Sequence, residues 1–479
     1  MSVSRPNIVL LMTDQHRQGY SRAAGFPLDT MPFLDAFAGT GARLPNAYTT
    51  APVCVPARTS LLSGRWPSAH RVRQNHANGQ VTRGADLLDV LRSADYALHF
   101  AGKPHMYRTA SDFDTYAGPY WHESGPDDIG QNADFSAWLR SIDHGPALEP
   151  TPFPLECQFP YRIVNDAVAA VDGRNPFFLW VSLPEPHNPY QVPEPYFSLF
   201  AEDELPPRVD PVHKGDAARW LRDLVEHKRP GFDLLWRRYR ANYCGMLRLV
   251  DDQMRRLVEA LGTDNTIFFF VSDHGDYVGD YGLQRKGAGL PEALVRIPFF
   301  AVGPGIVAAE RSEFVSLADL LPTICELVDE PIPDGVQGRG LAPLLRGAEF
   351  PPAEFDSIYV EGGFGGLPYT ADEQPPLHFD YATRTYDELN SMTQSGTTRM
   401  VRMADWKLIY DVLGRGELYD LRADPAELHN RWDDPAAAQP RAMLTERLLR
   451  WCLRVSDDLP RTPQYVPKQD PHNWYAPYQ

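Results

Sequence analysis

At 479 residues, the chain is long enough for one large core and a smaller second unit. With 43% hydrophobic and 23% charged residues it reads as an ordinary globular chain, and no stretch approaches the 18 apolar residues of a membrane span. A formal net charge of −17 argues against nucleic acid or anionic lipid as a partner, and it requires any anionic substrate to find a locally positive pocket.

The expected elements alternate along the chain. Apolar runs at Ile8–Met12, Ala97–Ala101, Phe177–Val181 and Ile267–Val271 read as buried strands. Helical periodicity lies between them, as at 31–37, 87–92 and 234–261. Such alternation implies a mostly parallel sheet flanked by helices, with its site beyond the carboxyl ends of the strands. Each run ends in a polar cluster at that edge: Thr13-Asp14-Gln15, Gly102-Lys103-Pro104-His105, Pro184 to His187, and Ser272-Asp273-His274.

Composition changes after Leu345, which divides the chain into a catalytic α/β domain at 1–350 and a small C-terminal α+β domain at 351–479. Residues 348–398, rich in Gly, Pro, Thr and Asp, read as an irregular connecting region. Residues 402–410 and 416–421 read as two strands of an antiparallel hairpin, and 439–455 as a helix. Tyr465, Trp474, Tyr475 and Tyr478 mark an aromatic tail that should dock on something apolar, a second subunit being one candidate.

The cysteines, Cys54, Cys157, Cys244, Cys325 and Cys452, are odd in number and include no C-x-x-C pair, which fits neither a disulfide framework nor a zinc ribbon. The Ile8–Met12 run is too short for a signal-peptide core, so a reducing cytoplasm is the expected location.

Cys54 opens the most informative segment. Pro56 suits the first turn of a helix and Gly64 its end, which puts Cys54 at a helix N-terminus, where free N–H groups favour an anion. Arg58 lies one turn on, on the same face, placed to anchor a charged nucleophile. On these grounds alone Cys54 reads equally as a buried structural cysteine.

Cys54-x-Pro56-x-Arg58, followed by Leu62-Ser63-Gly64-Arg65, resembles the signature of the formylglycine-dependent sulfatases of the alkaline phosphatase superfamily. Similar blocks run in order through nearly the whole chain: Pro6 to Asp14, Asn46 to Pro52, Gly102 to His105, Ser272 to Gly275, Val315 to Thr323, Trp406 to Tyr410 and Glu417 to Pro425. The resemblance implies an alkaline-phosphatase-like sandwich that hydrolyses a small-molecule sulfate ester. It implies maturation of Cys54 to formylglycine by a formylglycine-generating enzyme, with no nucleic-acid or membrane partner. In the family the hydrated aldehyde attacks sulfur with one hydroxyl and expels sulfate with the other, covalent catalysis with a built-in release step.

The same resemblance assigns Asp14, Gln15, Asp273 and His274, together with residue 54, to one divalent metal, calcium first, with manganese, magnesium or zinc as alternatives. Two adjacent pairs at one sheet edge also suit a hard cation on physical grounds, whereas a lone Asp there is more often a cap or turn residue. Lys103 and Lys286 are then expected to neutralise non-bridging oxygens. His187 or Lys286 protonates the leaving group, and His105 takes the proton from the diol. Asn75 reads either as a substrate contact or as a loop amide bonded to nearby backbone; His70 and His76 read as structural or exposed. Arg285 reads as a solvated charge or as the holder of a second anionic group.

Gln15 and His274 depart from the commonest sulfatase pattern and also occur in related phosphonate monoester and phosphodiester hydrolases, which makes phosphorus esters the alternative substrates. Lys103 with His105 is the more sulfatase-like combination. A binding protein that kept only the fold would be expected to have lost some of these positions, and none is missing. Glu361-Gly-Gly-Phe-Gly-Gly366 lacks the trailing Lys-Ser/Thr of a phosphate loop. Tyr107, Tyr116, Tyr120 and Trp121 read equally as a pocket wall or as loop packing.

Overall fold

The computed structural model describes residues 5–75, 81–126, 128–171, 173, 176–210, 215–376, 378–381, 384–387, 389, 393–457, 459–460 and 468–479. Eight strands form the main sheet: β1 (Asn7–Thr13), β2 (Ala42–Arg43), β3 (Ala97–Gly102), β4 (Thr115–Ala117), β5 (Phe177–Ser182), β6 (Thr266–Ser272), β7 (Phe299–Val302) and β8 (Ala309–Glu310). Their order across the sheet is β8-β2-β7-β6-β1-β5-β3-β4. Only β7 runs antiparallel to its neighbours β6 and β2, as expected of a mostly parallel sheet.

The continuous apolar runs follow from burial on both faces. In β1, Ile8, Leu10 and Met12 enter one hydrophobic cluster while Val9 and Leu11 enter the other. Strand β6 divides in the same way, with Ile267, Phe269 and Val271 against Phe268 and Phe270. Helices Cys54–Ser63, Leu87–Ser93 and Leu320–Leu327 cover the first face; Pro32–Ala38, Phe159–Ala170 and Trp236–Leu261 cover the second.

The C-terminal sheet comprises β9 (Ser357–Gly365), β10 (Gly396–Met403), β11 (Trp406–Asp411) and β12 (Gly416–Asp420), antiparallel in that order. Two expectations are corrected here. The segment read as irregular holds β9, whose strand signal is confined to Ile358-Tyr-Val360, while a register shift between Gly362 and Gly365 disguises the rest. The segment 402–410, read as one strand, is two strands joined at Ala404-Asp405, with Ala404 in the left-handed region at φ 50°.

This sheet is itself covered on both faces. Tyr359, Val401, Leu408 and Leu418 pack with Leu444, Leu448 and Trp451 of the helix Ala438–Arg454, and with Trp66 of the larger unit. Ile358, Val360, Met400 and Ile409 face Tyr48, Leu290, Leu294 and Val295 of the larger unit. The aromatic tail docks on its own chain. Trp474 is buried edge-on against Phe355 and donates to the Gly340 carbonyl at 3.0 Å, while Tyr475 and Tyr478 stay exposed. Tyr465 lies outside the described residues.

Candidate functional site

Four strand ends and one helix start converge on Cys54. It is the first residue of its helix, behind an extended Val53, and Gly64 closes that helix at φ 64°. The Cys54 Sγ lies 3.2 Å from Lys286 Nζ, 3.3 Å from His274 Nε2 and 3.8 Å from an Asp14 carboxylate oxygen. Burial, reinforced by Asp14 against the pull of Lys286 and Lys103, pushes the thiol up to about 11. An unmodified Cys54 is therefore a neutral thiol at neutral pH and a weak nucleophile.

Arg58 sits beneath the sulfur, but its hydrogen bonds go elsewhere. Nε donates to Asp273 and Nη2 to Asp14, each at 3.0 Å; Nη1 reaches Ser182 Oγ at 2.7 Å and the Lys103 carbonyl at 3.1 Å. Arg58 therefore fixes both carboxylates beside Cys54. Lys103 Nζ also donates to Asp14 and to His122 Nε2, the latter at 2.9 Å. Burial pushes the Asp14 carboxyl up, but Lys103, His187, Arg58 and Lys286 together hold it well below the usual range.

Asp14, Cys54, Asp273 and His274 present ligand atoms within 4.8 Å of one another. His274 Nδ1 lies 2.9 Å from the Gly275 carbonyl, so Nδ1–H donates and the Nε2 lone pair faces the sulfur. Burial lowers this imidazole to about 4, leaving it neutral. Gln15 holds the left-handed region at φ 66°, and its Oε1 accepts from Lys286 Nζ at 3.0 Å, next to Cys54. Hard oxygens plus one neutral imidazole form a donor set that fits a divalent cation.

A row of histidines lies beyond Lys103. His122 stacks on His187 with ring centroids 3.6 Å apart, and His105 lies 6.0 Å from His122 and 5.3 Å from Trp121. Burial first, and then neighbouring positive charge, keeps all three well below the usual imidazole value. His122 has no counterpart among the sequence expectations, because its loop carries no periodicity and no motif. The remaining aromatics mostly pack the loop: Tyr107 donates to Asp86 and Tyr120 to Asp166, each at 2.6 Å, and Tyr116 stacks on Phe100.

Asn75 Oδ1 accepts from the Val55 N–H at 3.1 Å, which pins this loop beside the nucleophile's helix. His70 is structural, bonded to Ser60 and Val72, and His76 lies outside the described residues. Arg285 is 1% exposed, which excludes a solvated charge.

Residues 6–330 match the family model Sulfatase. The chain belongs to the sulfatase family. It is thus a hydrolase of that family, and its relatives span it almost end to end. An arylsulfatase of Clostridium perfringens is 28% identical, over 89% of this chain and 90% of its own length. A choline-sulfatase of Rhizobium meliloti is 27% identical, over 97% and 90%. In fold, the chain superposes on a phosphonate monoester hydrolase of Silicibacter pomeroyi with TM-score 0.78 at 20% identity, covering 95% of this chain and 96% of the other.

Proposed function

We propose that this chain hydrolyses a small-molecule sulfate ester with a formylglycine made from Cys54, beside one divalent cation, calcium first. The observation that carries this reading is the setting of Cys54: a residue at a helix start, ringed by Lys286, His274 and Asp14 within 3.8 Å. Asp14, Gln15, Asp273 and His274 would hold the cation, which would act as a Lewis acid on the ester and on the nucleophilic oxygen. A hydrated aldehyde at residue 54 would supply two hydroxyls, one to take the sulfuryl group and one to release it.

The chain's own groups divide the remaining work. Lys103 and Lys286 place ammonium groups where non-bridging oxygens gain charge. His187 Nδ1 lies 2.8 Å from the Asn188 carbonyl, so Nδ1–H donates and Nε2 is the atom able to carry a proton. Burial and the neighbouring His122, Lys103 and Lys286 keep that imidazole neutral in the unliganded site. Burial alone would lower Lys286, but the carboxylates Asp14 and Asp273 raise it, so of this pair Lys286 holds the transferable proton for the leaving oxygen. His105, half-buried and held neutral by its surroundings, serves as the base.

Phosphonate monoesters or phosphodiesters are the second reading, favoured by Gln15 and His274; Lys103 with His105 ranks sulfate first. Five unpaired cysteines favour a reducing cytoplasm, and a formylglycine-generating enzyme would be the maturation partner. A homo-oligomer remains a proposal, now without the buried Trp474 in its support. Two measurements test the reading. Mass spectrometry of the Cys54 peptide, from a host with the maturation enzyme, should find an aldehyde; thiol alone with full turnover overturns the mechanism. Aryl sulfate should surpass aryl phosphonate monoester and aryl phosphodiester in kcat/KM; the reverse order overturns the substrate.

A further inference from the structure

The Gln15 side chain has a property that a carboxylate would lack: its two ends differ. Only the oxygen can serve a cation, and an amide turned over presents N–H groups instead. Its backbone is held, in the left-handed region at φ 66°, by donation from its N–H to Asp273 at 3.0 Å. That hold does not choose which end of the amide faces Cys54.

Lys286 Nζ, a donor 3.0 Å from Oε1, favours oxygen at that end, and the other end is chosen by Asp276. Its Oδ2 accepts from Gln15 Nε2 at 2.6 Å and from the Tyr190 hydroxyl at 2.9 Å. Its Oδ1 accepts from the Val278 N–H at 2.8 Å and from the Tyr239 hydroxyl. Gln15 Nε2 also donates to Tyr190 Oη at 3.2 Å. Four donors surround one carboxylate that is 0% exposed, so the site accepts only an acceptor. The amide nitrogen is drawn away from Cys54, and Oε1 is left facing Lys286 Nζ and the sulfur.

We propose that Asp276, held by Tyr190 and Tyr239, is a positioning residue that fixes the orientation of the Gln15 amide and thereby makes Gln15 an oxygen ligand for the cation. In that place the Asp276 carboxylate orients a neutral ligand instead of adding its own charge to the ligand set. This inference rests on the metal-bound reading proposed above.

The pair can be tested by exchange, because a carboxylate has oxygen at both ends. In Asp276→Asn an amide donor can face the Gln15 nitrogen, and the preference for oxygen toward the cation is lost. In the double variant Gln15→Glu with Asp276→Asn, the amide introduced at position 276 can donate to the new carboxylate, which presents oxygen whichever way it turns. Binding of Ca2+ and Mn2+ to the metal-stripped full chain is followed by calorimetry, with bound metal counted by mass spectrometry. Asp276→Asn should weaken binding about 10- to 100-fold, as loss of an orienting partner does. The double variant should recover most of it. Unchanged affinity in Asp276→Asn overturns the inference, as does equal weakening in both variants. Tyr190→Phe, which removes one of the four donors, should weaken binding by a smaller factor; this keeps the inference open to refutation should Asp276→Asn not fold. A wild-type chain that binds neither ion overturns the metal-bound reading itself, and with it this inference.

Discussion

Two of the clusters of buried charge in this molecule are built differently. At the seam between the main sheet and the C-terminal sheet, Lys407 Nζ sits between Glu292 at 3.0 Å and Glu427 at 2.8 Å. Arg402 and the Tyr48 hydroxyl close on Glu292 at 2.7 Å each. Each of the two carboxylates there has a cation in direct contact. Around Cys54, two carboxylates, Asp14 and Asp273, face three cations, Arg58, Lys103 and Lys286. The cations outnumber the carboxylates in direct contact with them, and the buried Nδ1 atoms of His105 and His122 have no hydrogen-bond partner. The closed cluster holds two units together. The open one would suit the anionic ester proposed above, on a protein whose net charge is −17.

The difference can be probed by removing one group from each cluster. Cys54→Ala should lower kcat by at least about a thousandfold, the scale on which losing a nucleophile acts, with little change in Tm. Activity near wild type would show that residue 54 is not the reacting group. Lys407→Met should do the opposite. It leaves Glu292 and Glu427 short of a partner in a buried setting, at a cost of about 3–5 kcal/mol, read as a lower urea midpoint.

A finer comparison lies within the open cluster. His122→Ala removes the neutral acceptor from Lys103 and the ring stacked on His187, and should lower kcat/KM about tenfold without a matching loss of stability. The closed cluster should reveal itself in acid. Burial pushes Glu292 up, but Lys407, Arg402 and Arg296 outweigh it and hold the carboxyl at about 2 against an ordinary 4.5. A depressed folded value stabilises fully above the unfolded one and is lost as pH falls through the folded one. The stability gap between wild type and Glu292→Gln should therefore narrow between pH 4.5 and 2; a gap that stays constant would deny the pairing.

Legibility differed sharply between elements. Strands β1, β3, β5 and β6 were readable because burial on both faces demands an unbroken apolar run, and their ends were readable because polar residues stop it abruptly. Strand β9 was not, since only three of its residues carry a strand signal before the glycines begin. Strands β2 and β8, two residues each, carry no periodicity. Lys407 was visible as part of a motif but not as the seam between two sheets, because its partners Glu292 and Glu427 lie far along the chain on either side.

The sequence by itself determined the class of fold, the family, and the residues that meet around Cys54. The fold class follows from local pattern, apolar runs and their polar ends, whereas the family and the site residues follow from motifs that resemble the sulfatases in order along the chain. Only the tertiary structure decided what those residues do to one another. Arg58 bonds both carboxylates, His122 joins Lys103 to His187, and Asp276 accepts from the Gln15 amide nitrogen. Hydrogen bonds of this kind depend on distances and angles between distant segments, which residue order does not contain.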